Sequence, residues 1–122
     1  MLPYKMLIEN VCKNIPEVKK LYDKEIEEDS LDDKSGVHTV FSFCFVPVLK
    51  EAILNDDEAL VKKLFNYIED MEKSSDPLVG EVAEFTILEE LLDDFNLRTV
   101  KKYMGENTLQ SASLINRYIG TK

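Results

Sequence analysis

The stretch LKEAILNDDEALVKKLF (49–65) aligns without a gap to LEELLDDFNLRTVKKYM (88–104), which lies 39 residues further along the chain. Each copy runs from a leucine-containing segment through a short acidic turn into Val-Lys-Lys and two apolar or aromatic residues. A third copy of the last five residues, VKKLY, begins at Val18. In a helix, the valine and the apolar residues three or four positions later share one face, and the two lysines point to solvent. Each long copy therefore indicates the end of one helix and the start of the next.

A period near 40 built from paired helices is typical of HEAT-like repeats. We therefore predict an all-α fold: one domain over residues 1–122, with six to seven helices in antiparallel pairs and HEAT-like, α-solenoid-like repeat units at 49–65 and 88–104. Such a repeat would add curvature and a concave binding face. The alternative is that Val-Lys-Lys is a common sequence of amphipathic helices and recurs by chance, which leaves the all-α domain without the repeat.

The composition also indicates one folded helical domain. With 122 residues, 44% of them hydrophobic, the chain is long enough to bury a core. It has only four glycines and four prolines, so we expect long helices and short connections. The one long loop is predicted at about residues 29–36.

The segment VHTVFSFCFVPV (37–48) could be a helix or a strand. Its phenylalanines favour a strand by propensity, whereas the apolar residues from Val40 to Ile53 recur at i, i+3 and i+4, as in a helix. We predict a buried helix. Pro47 lacks a backbone N–H and would either kink that helix or mark the start of a shorter one.

The helix predicted from Pro77 to about Phe95 carries two apolar stripes. They consist of Val79, Val82, Ala83 and Leu91, and of Leu78, Phe85, Leu88, Leu92 and Phe95. A helix that is apolar on two sides is covered on two sides. We therefore place this helix at the centre of the domain.

Cys12 and Cys44 have apolar neighbours and are predicted to be free, buried thiols, although one disulfide is left open. The N-terminal sequence is interrupted by Pro3, Lys5 and Glu9 and does not read as a secretory signal. No apolar run approaches transmembrane length on this reading. We therefore expect a cytoplasmic protein that does not bind membranes.

The sequence offers little for catalysis or metal binding. His38 is the single histidine, and no Ser-His-Asp or Cys-His pattern surrounds it. A carboxylate di-metal site needs Glu three residues before His, and Ser35 stands at that position. Two isolated cysteines do not make a zinc site, and no glycine-rich phosphate loop is present. We therefore predict no catalytic residue, metal or cofactor, and a protein that is not an enzyme.

Charge is the most informative feature. The chain carries 24 acidic and 15 basic residues, a net charge of −9, which argues against binding nucleic acid or an anionic membrane. Residues 51–94 hold fourteen acids and three bases, a net charge of −11, so the rest of the chain carries +2. This concentration predicts a docking surface for a basic protein, although an acidic face that only aids solubility has the same composition. The predicted partner-binding residues are Glu69, Asp70, Glu72, Glu84, Glu89, Glu90, Asp93 and Asp94.

The sequences FNYIEDM (65–71) and EFTILEELLDD (84–94), in a small acidic helical chain, resemble immunity proteins of bacterial contact-dependent and polymorphic toxin systems. The resemblance covers about residues 41–104 and includes a group of small helical proteins with the pattern F-x-x-[IL]-E-x-M followed by [IL]-L-E-x-L-x-D. It implies a cytoplasmic protein that binds and neutralises a basic cognate toxin domain, commonly a nuclease. It supplies no shared contact residues, so the predicted site depends on charge alone. The alternative function is a helical-repeat adaptor or regulatory subunit, and the oligomeric state stays open.

Overall fold

Seven helices and no strand are present in residues 2–120, the part of the chain that this computed structural model describes. The helices are α1 (Leu7–Asn14, entered through a 3₁₀ turn at Tyr4–Met6), α2 (Pro16–Glu27), α3 (Val37–Leu54), α4 (Glu58–Glu72), α5 (residues 77–94), α6 (Leu97–Val100, continued by a 3₁₀ turn at Lys101–Tyr103) and α7 (Glu106–Gly120). The predicted all-α single domain is confirmed, and the longest connection lies between α2 and α3, as expected.

Aspartates start the two helices of the central hairpin. The Leu60 N–H donates to the Asp57 carboxylate at the start of α4 (3.3 Å), and the Leu78 N–H donates to Asp76 at the start of α5 (3.1 Å). These caps satisfy backbone donors that have no partner within the helix. The second oxygen of Asp76 accepts from the Tyr4 N–H (2.9 Å). This bond ties the N-terminal segment to the turn between α4 and α5.

Residues 37–48 are helical, which confirms the predicted helix and excludes the strand. Phe41–Phe45 form a π segment, in which the Val46 N–H donates to the Phe41 carbonyl and the rings of Phe41 and Phe45 stack at 5.5 Å. Pro47 follows two residues after this segment, inside a helix that continues to Leu54. The helix thus begins well before Pro47, and the wider turn precedes the residue that cannot donate a hydrogen bond.

The same helix corrects one expectation about membranes. Val37–Leu54 has the length and the mean hydropathy, 1.5 over 18 residues, of a membrane-spanning helix, so the statement that no apolar run approaches that length was wrong. Of this window, 39% is buried against the rest of the protein. Core helices of globular proteins meet the same criterion of length and hydropathy, so this criterion does not identify a membrane span.

Helices α3, α4 and α5 run up, down and up, so that α3 and α5 lie side by side and parallel. Two polar pairs fix their register: His38 Nδ1 lies 2.6 Å from Thr86 Oγ1, and the Ser42 hydroxyl donates to Glu90 (2.9 Å). The π segment of α3 packs against α2 and against α5, and α7 covers α4 and α5. The core consists mainly of the buried side chains Leu7, Val11, Val18, Phe41, Phe45, Leu49, Phe65, Ile68, Met71, Val82, Ile87, Leu88 and Leu91.

The three Val-Lys-Lys sequences behave as the periodicity predicts. Val18, Val61 and Val100 are all buried, and the six lysines that follow them are exposed. The larger repeat is not confirmed. Helix α4 continues to Glu72, whereas α6 ends within two turns and the chain becomes extended at Met104.

Helix α5 is central, as predicted, because it packs against α3, α4 and α7. The prediction that both its apolar stripes are buried was wrong: Leu88 and Leu92 are buried, but Leu78 is 49% exposed and Phe85 59% exposed. Residues Ala83–Leu88 form a second π segment. A π turn takes up one more residue than an α turn, so the side chains after it are shifted by about 100° from the positions that they would have in an uninterrupted α-helix.

Replacing Phe65 with Ala should lower the free energy of unfolding by about 3–5 kcal/mol, because this buried ring packs against Tyr103 (5.9 Å between centroids) and its loss leaves a cavity. The matched variant Phe43→Ala removes a ring that is 44% exposed and should cost less than about 1 kcal/mol. Urea unfolding followed by circular dichroism measures both. Similar losses for the two variants would contradict the assigned core.

Candidate functional site

The eight acidic residues predicted to form one surface lie in two separate groups. Because α4 and α5 are antiparallel, the end of α4 lies beside the first half of α5, where the pKa effects of Glu69 and Glu84 on Glu72 place these three carboxyl groups together. The acids from Glu89 to Asp94 lie five or more residues further along α5, toward its opposite end. The hairpin geometry therefore does not bring the predicted site residues together as one face.

Glu69 has a structural task. Its carboxylate accepts four hydrogen bonds of 2.7–3.2 Å from the backbone N–H groups and side chains of Asn107 and Thr108, in the first turn of α7. A side chain of α4 therefore caps the N-terminus of α7, where the helix dipole also favours a negative charge. Although burial acts to raise it, these bonds hold the pKa of Glu69 at about 2.

Gly105 allows that carboxylate to approach the helix. A Cβ atom at position 105 would lie 2.5 Å from Glu69 Cδ and 2.6 Å from Oε1. The Gly105 carbonyl accepts from the Leu109 N–H (2.9 Å), so the residue is also part of the first turn of α7. The requirement for glycine here comes from space, since no described glycine has a positive φ.

Glu72 and Glu84 form a partly buried carboxyl pair between α4 and α5, next to Ser111 of α7. Glu72 Oε2 is buried and has no hydrogen-bond partner among the described residues. Burial and the neighbouring Glu84 carboxyl raise the pKa of Glu72 to about 8, against the lowering effect of Ser111. The Glu72–Glu84 pair therefore retains a proton at neutral pH and carries less negative charge than two separate carboxylates.

Two of the five remaining acids also have partners. Glu90 accepts from Ser42, Asp94 forms an ion pair with Lys50, and Asp70 is exposed in a groove beside α1. Glu89, half-buried, and Asp93, exposed, have no such partner within residues 2–120. Of the predicted set, Asp70 on α4 and Glu89 and Asp93 on the outer side of α5 therefore remain without a bonded partner in the described part of the chain.

Glu89 and Asp93 belong to a row of side chains that we call the α5 stripe: Leu78, Glu81, Phe85, Glu89 and Asp93. Its members follow one another at three or four residues and lie on the exposed side of α5, with Glu89 the most covered. Sequence reasoning missed Leu78, Glu81 and Phe85, since the apolar pair was assigned to the core. The signal in the sequence is that one aromatic residue, Phe85, stands among three acids at i+4 spacing from Glu81 to Asp93.

The structure also places the single histidine and the two cysteines. His38 is exposed in the first turn of α3 and bonds to Thr86, and no orienting carboxylate is paired with it in residues 2–120. Cys12 and Cys44 are free, and burial raises the pKa of both thiols, that of Cys44 to about 12. Such thiols are poor nucleophiles. No group of three or more His, Cys, Asp or Glu residues in the described chain could hold a metal ion.

The comparisons with known proteins gave one match. The sequence model of the family described as "Domain of unknown function (DUF7674)" matches residues 8–120. A search of curated proteins found no match. A search of solved structures found none either.

Replacing Gly105 with Ala should destabilise the protein by about 1–3 kcal/mol, because the new methyl group displaces a carboxylate that is held by four hydrogen bonds. The matched variant Gly80→Ala places its Cβ at 3.6 Å from Glu84, an ordinary contact in a helix, and should be neutral or stabilising by up to about 1 kcal/mol. Thermal unfolding compares them. Equal stability of the two variants would show that Glu69 can move away at no cost.

The pKa of Glu72 is raised and that of Glu69 is lowered, so these two groups make the free energy of unfolding depend on pH in opposite ways. The stabilisation by Glu72 is fully present below its unfolded pKa, 4.5, and is lost as pH rises toward about 8. The stabilisation by Glu69 is present above 4.5 and is lost as pH falls toward about 2. We therefore expect stability to fall by about 1–2 kcal/mol from pH 5 to pH 8, less than the full shift implies because the pair is partly solvated.

Urea unfolding at a series of pH values measures this slope, and Glu72→Gln should flatten it, because glutamine cannot lose a proton. Glu28→Gln, at an exposed acid of the α2–α3 connection, is the matched control and should leave the slope unchanged. The same slope in wild type and Glu72→Gln would contradict the raised pKa of Glu72.

Proposed function

Because the chain belongs to the DUF7674 family, whose function is unknown, we propose its function from its surface: it is a non-catalytic protein that binds a basic partner protein through the α5 stripe. The observation that supports this most is the exposure of Phe85. A large aromatic side chain that is 59% exposed stands between Glu81 and Glu89, each one helical turn away. Its nearest neighbours on the exposed side are therefore acids.

This arrangement suits recognition of a basic surface. Exposed aromatic residues become the dominant contacts of protein interfaces when a partner covers them, and surrounding charges increase the association rate with a partner of opposite charge. The stripe lies on α5, which three other helices hold in place. A rigid helix presents its side chains to a partner with little loss of conformational freedom.

The partner that we propose is a toxin domain, most directly a nuclease. Nucleases bind phosphate groups with basic surfaces, and a row of carboxylates on a helix offers such a surface an alternative ligand. This step depends on the resemblance of FNYIEDM and EFTILEELLDD to immunity proteins and on the net charge of −11 in residues 51–94. Neutralisation would be stoichiometric, through occupation of the toxin surface.

We expect a toxin domain to be encoded beside this gene. The test is binding of that domain, measured by calorimetry and by association kinetics at low and high salt. Glu81→Lys/Glu89→Lys/Asp93→Lys should slow association at least about tenfold and weaken the salt dependence. Phe85→Ala should raise the dissociation rate at least about tenfold. Neither should reduce stability by more than about 1 kcal/mol, because Glu81, Phe85 and Asp93 are exposed and the half-buried Glu89 has no bonded partner among the described residues.

The control Glu27→Lys/Glu28→Lys/Asp33→Lys reverses three exposed acids away from α5 and should leave association nearly unchanged. Asp29 is left out of the control because its φ of 60° makes a lysine there strained. Phe43→Ala is the control for Phe85→Ala. An affinity that is insensitive to salt and to both stripe variants would remove the α5 stripe as the binding surface.

A further inference from the structure

A groove with a volume of about 600 Å³ separates α2 from the second half of α3 and reaches the start of α4. Both helices line it with residues spaced i, i+3, i+4 and i+7, starting at Glu17 in α2 and at Val48 in α3. This spacing means that the groove follows one face of each helix for about two turns, or roughly 10 Å. It shares no lining residue with the α5 stripe.

The floor of the groove is apolar. Ala52 is buried at its base, while Leu21, Val48 and Leu60 are half-buried around it. The small side chain of Ala52 leaves room between the two helices. Partly exposed aliphatic side chains on three helices therefore surround one depression, and covering them would remove apolar surface from water.

The two rims carry opposite net charges. Lys20 and Lys24 outweigh Glu17 on α2, and Glu51 lies on α3 across the groove. All four are exposed, and none forms an ion pair with another described residue, whereas the neighbouring Lys19 pairs with Asp23. These charges are available to an occupant.

We propose that this groove binds one amphipathic helix of a partner protein. The apolar stripe of that helix contacts Leu21, Val48 and Leu60, its acidic flank faces Lys20 and Lys24, and its basic flank faces Glu51. The proposal is independent of the function assigned to the α5 stripe, because the two surfaces can be tested separately.

The walls of the groove favour a helical occupant over an extended peptide. Both are α-helices, whose backbone groups are already bonded within the helix, so they offer no backbone partners to an extended peptide. A helix satisfies its own backbone and presents apolar residues at i, i+3, i+4 and i+7, the same spacing as the walls. Its flanks place charges of either sign along the two rims.

The probe is a fluorescein-labelled synthetic helix of about four turns, with leucines in one stripe, glutamates on one flank and lysines on the other. A peptide of the same composition in scrambled order is the control. Fluorescence anisotropy should show binding of the amphipathic peptide at least tenfold tighter than that of the scrambled one. Val48→Arg should reduce the affinity at least tenfold, and Lys20→Glu/Lys24→Glu about three- to tenfold at low salt.

The exposed-lysine variant Lys34→Glu/Lys62→Glu is the matched control and should bind like wild type. A second peptide with lysines on both flanks should prefer Lys20→Glu/Lys24→Glu over wild type. This reversal of peptide preference tests the proposal even if Val48→Arg fails to fold, because Lys20 and Lys24 are exposed and their replacement should not disturb the fold. Circular dichroism checks the fold of each variant.

Three results would overturn the proposal. The first is equal binding of the amphipathic and scrambled peptides, and the second is an affinity that no rim variant changes. The third is a dimer in sedimentation experiments that the Lys20→Glu/Lys24→Glu variant dissociates, which would assign the groove to a second copy of this chain.

Discussion

The π segments of α3 and α5 contact each other where these two parallel helices pack. They determine which side chains of each helix point into the core and which point to solvent. Each takes up one additional residue, so the buried side of each helix changes by one position along its length. In α3 the wider turn precedes Pro47, and in α5 it separates the exposed Phe85 from the buried Leu88 and Leu92. In an unbroken α-helix these three side chains would lie on one side, because they are spaced i, i+3 and i+7.

The acidic residues of this chain serve two different purposes. Glu69 holds a helix end, Glu72 and Glu84 share a partly buried position, and Asp94 pairs with Lys50. These groups contribute to the negative composition but not to a free negative surface. The charge that can act on a partner is thus smaller than the count of acids suggests. The net charge of a sequence indicates how strongly a protein attracts a charged partner only when carboxyl groups that are bonded within the protein are left out of the count.

Much of the fold was predictable because helical periodicity is a local property. Val61, Leu64, Phe65, Ile68 and Met71 repeat cleanly in the sequence and are all buried in α4. The exposure of Phe85 was not predictable, since a π segment has no reliable sequence signal and changes the period within a helix. The role of Glu69 was hidden for another reason: its partners are 38 and 39 residues away. Composition identified the acidic region, but only the packing of α7 separates structural carboxylates from exposed ones.

The cap that Glu69 provides has a consequence for the order of folding. Residue 105, just before α7, is a glycine, which has no side chain with which to cap the helix, and the carboxylate that serves instead comes from α4. The N-terminus of α7 therefore lacks its cap until α4 has formed and Glu69 lies beside residues 107 and 108. We expect α7 to assemble late and to open first, so that its amide protons exchange with solvent sooner than those of α4 and α5.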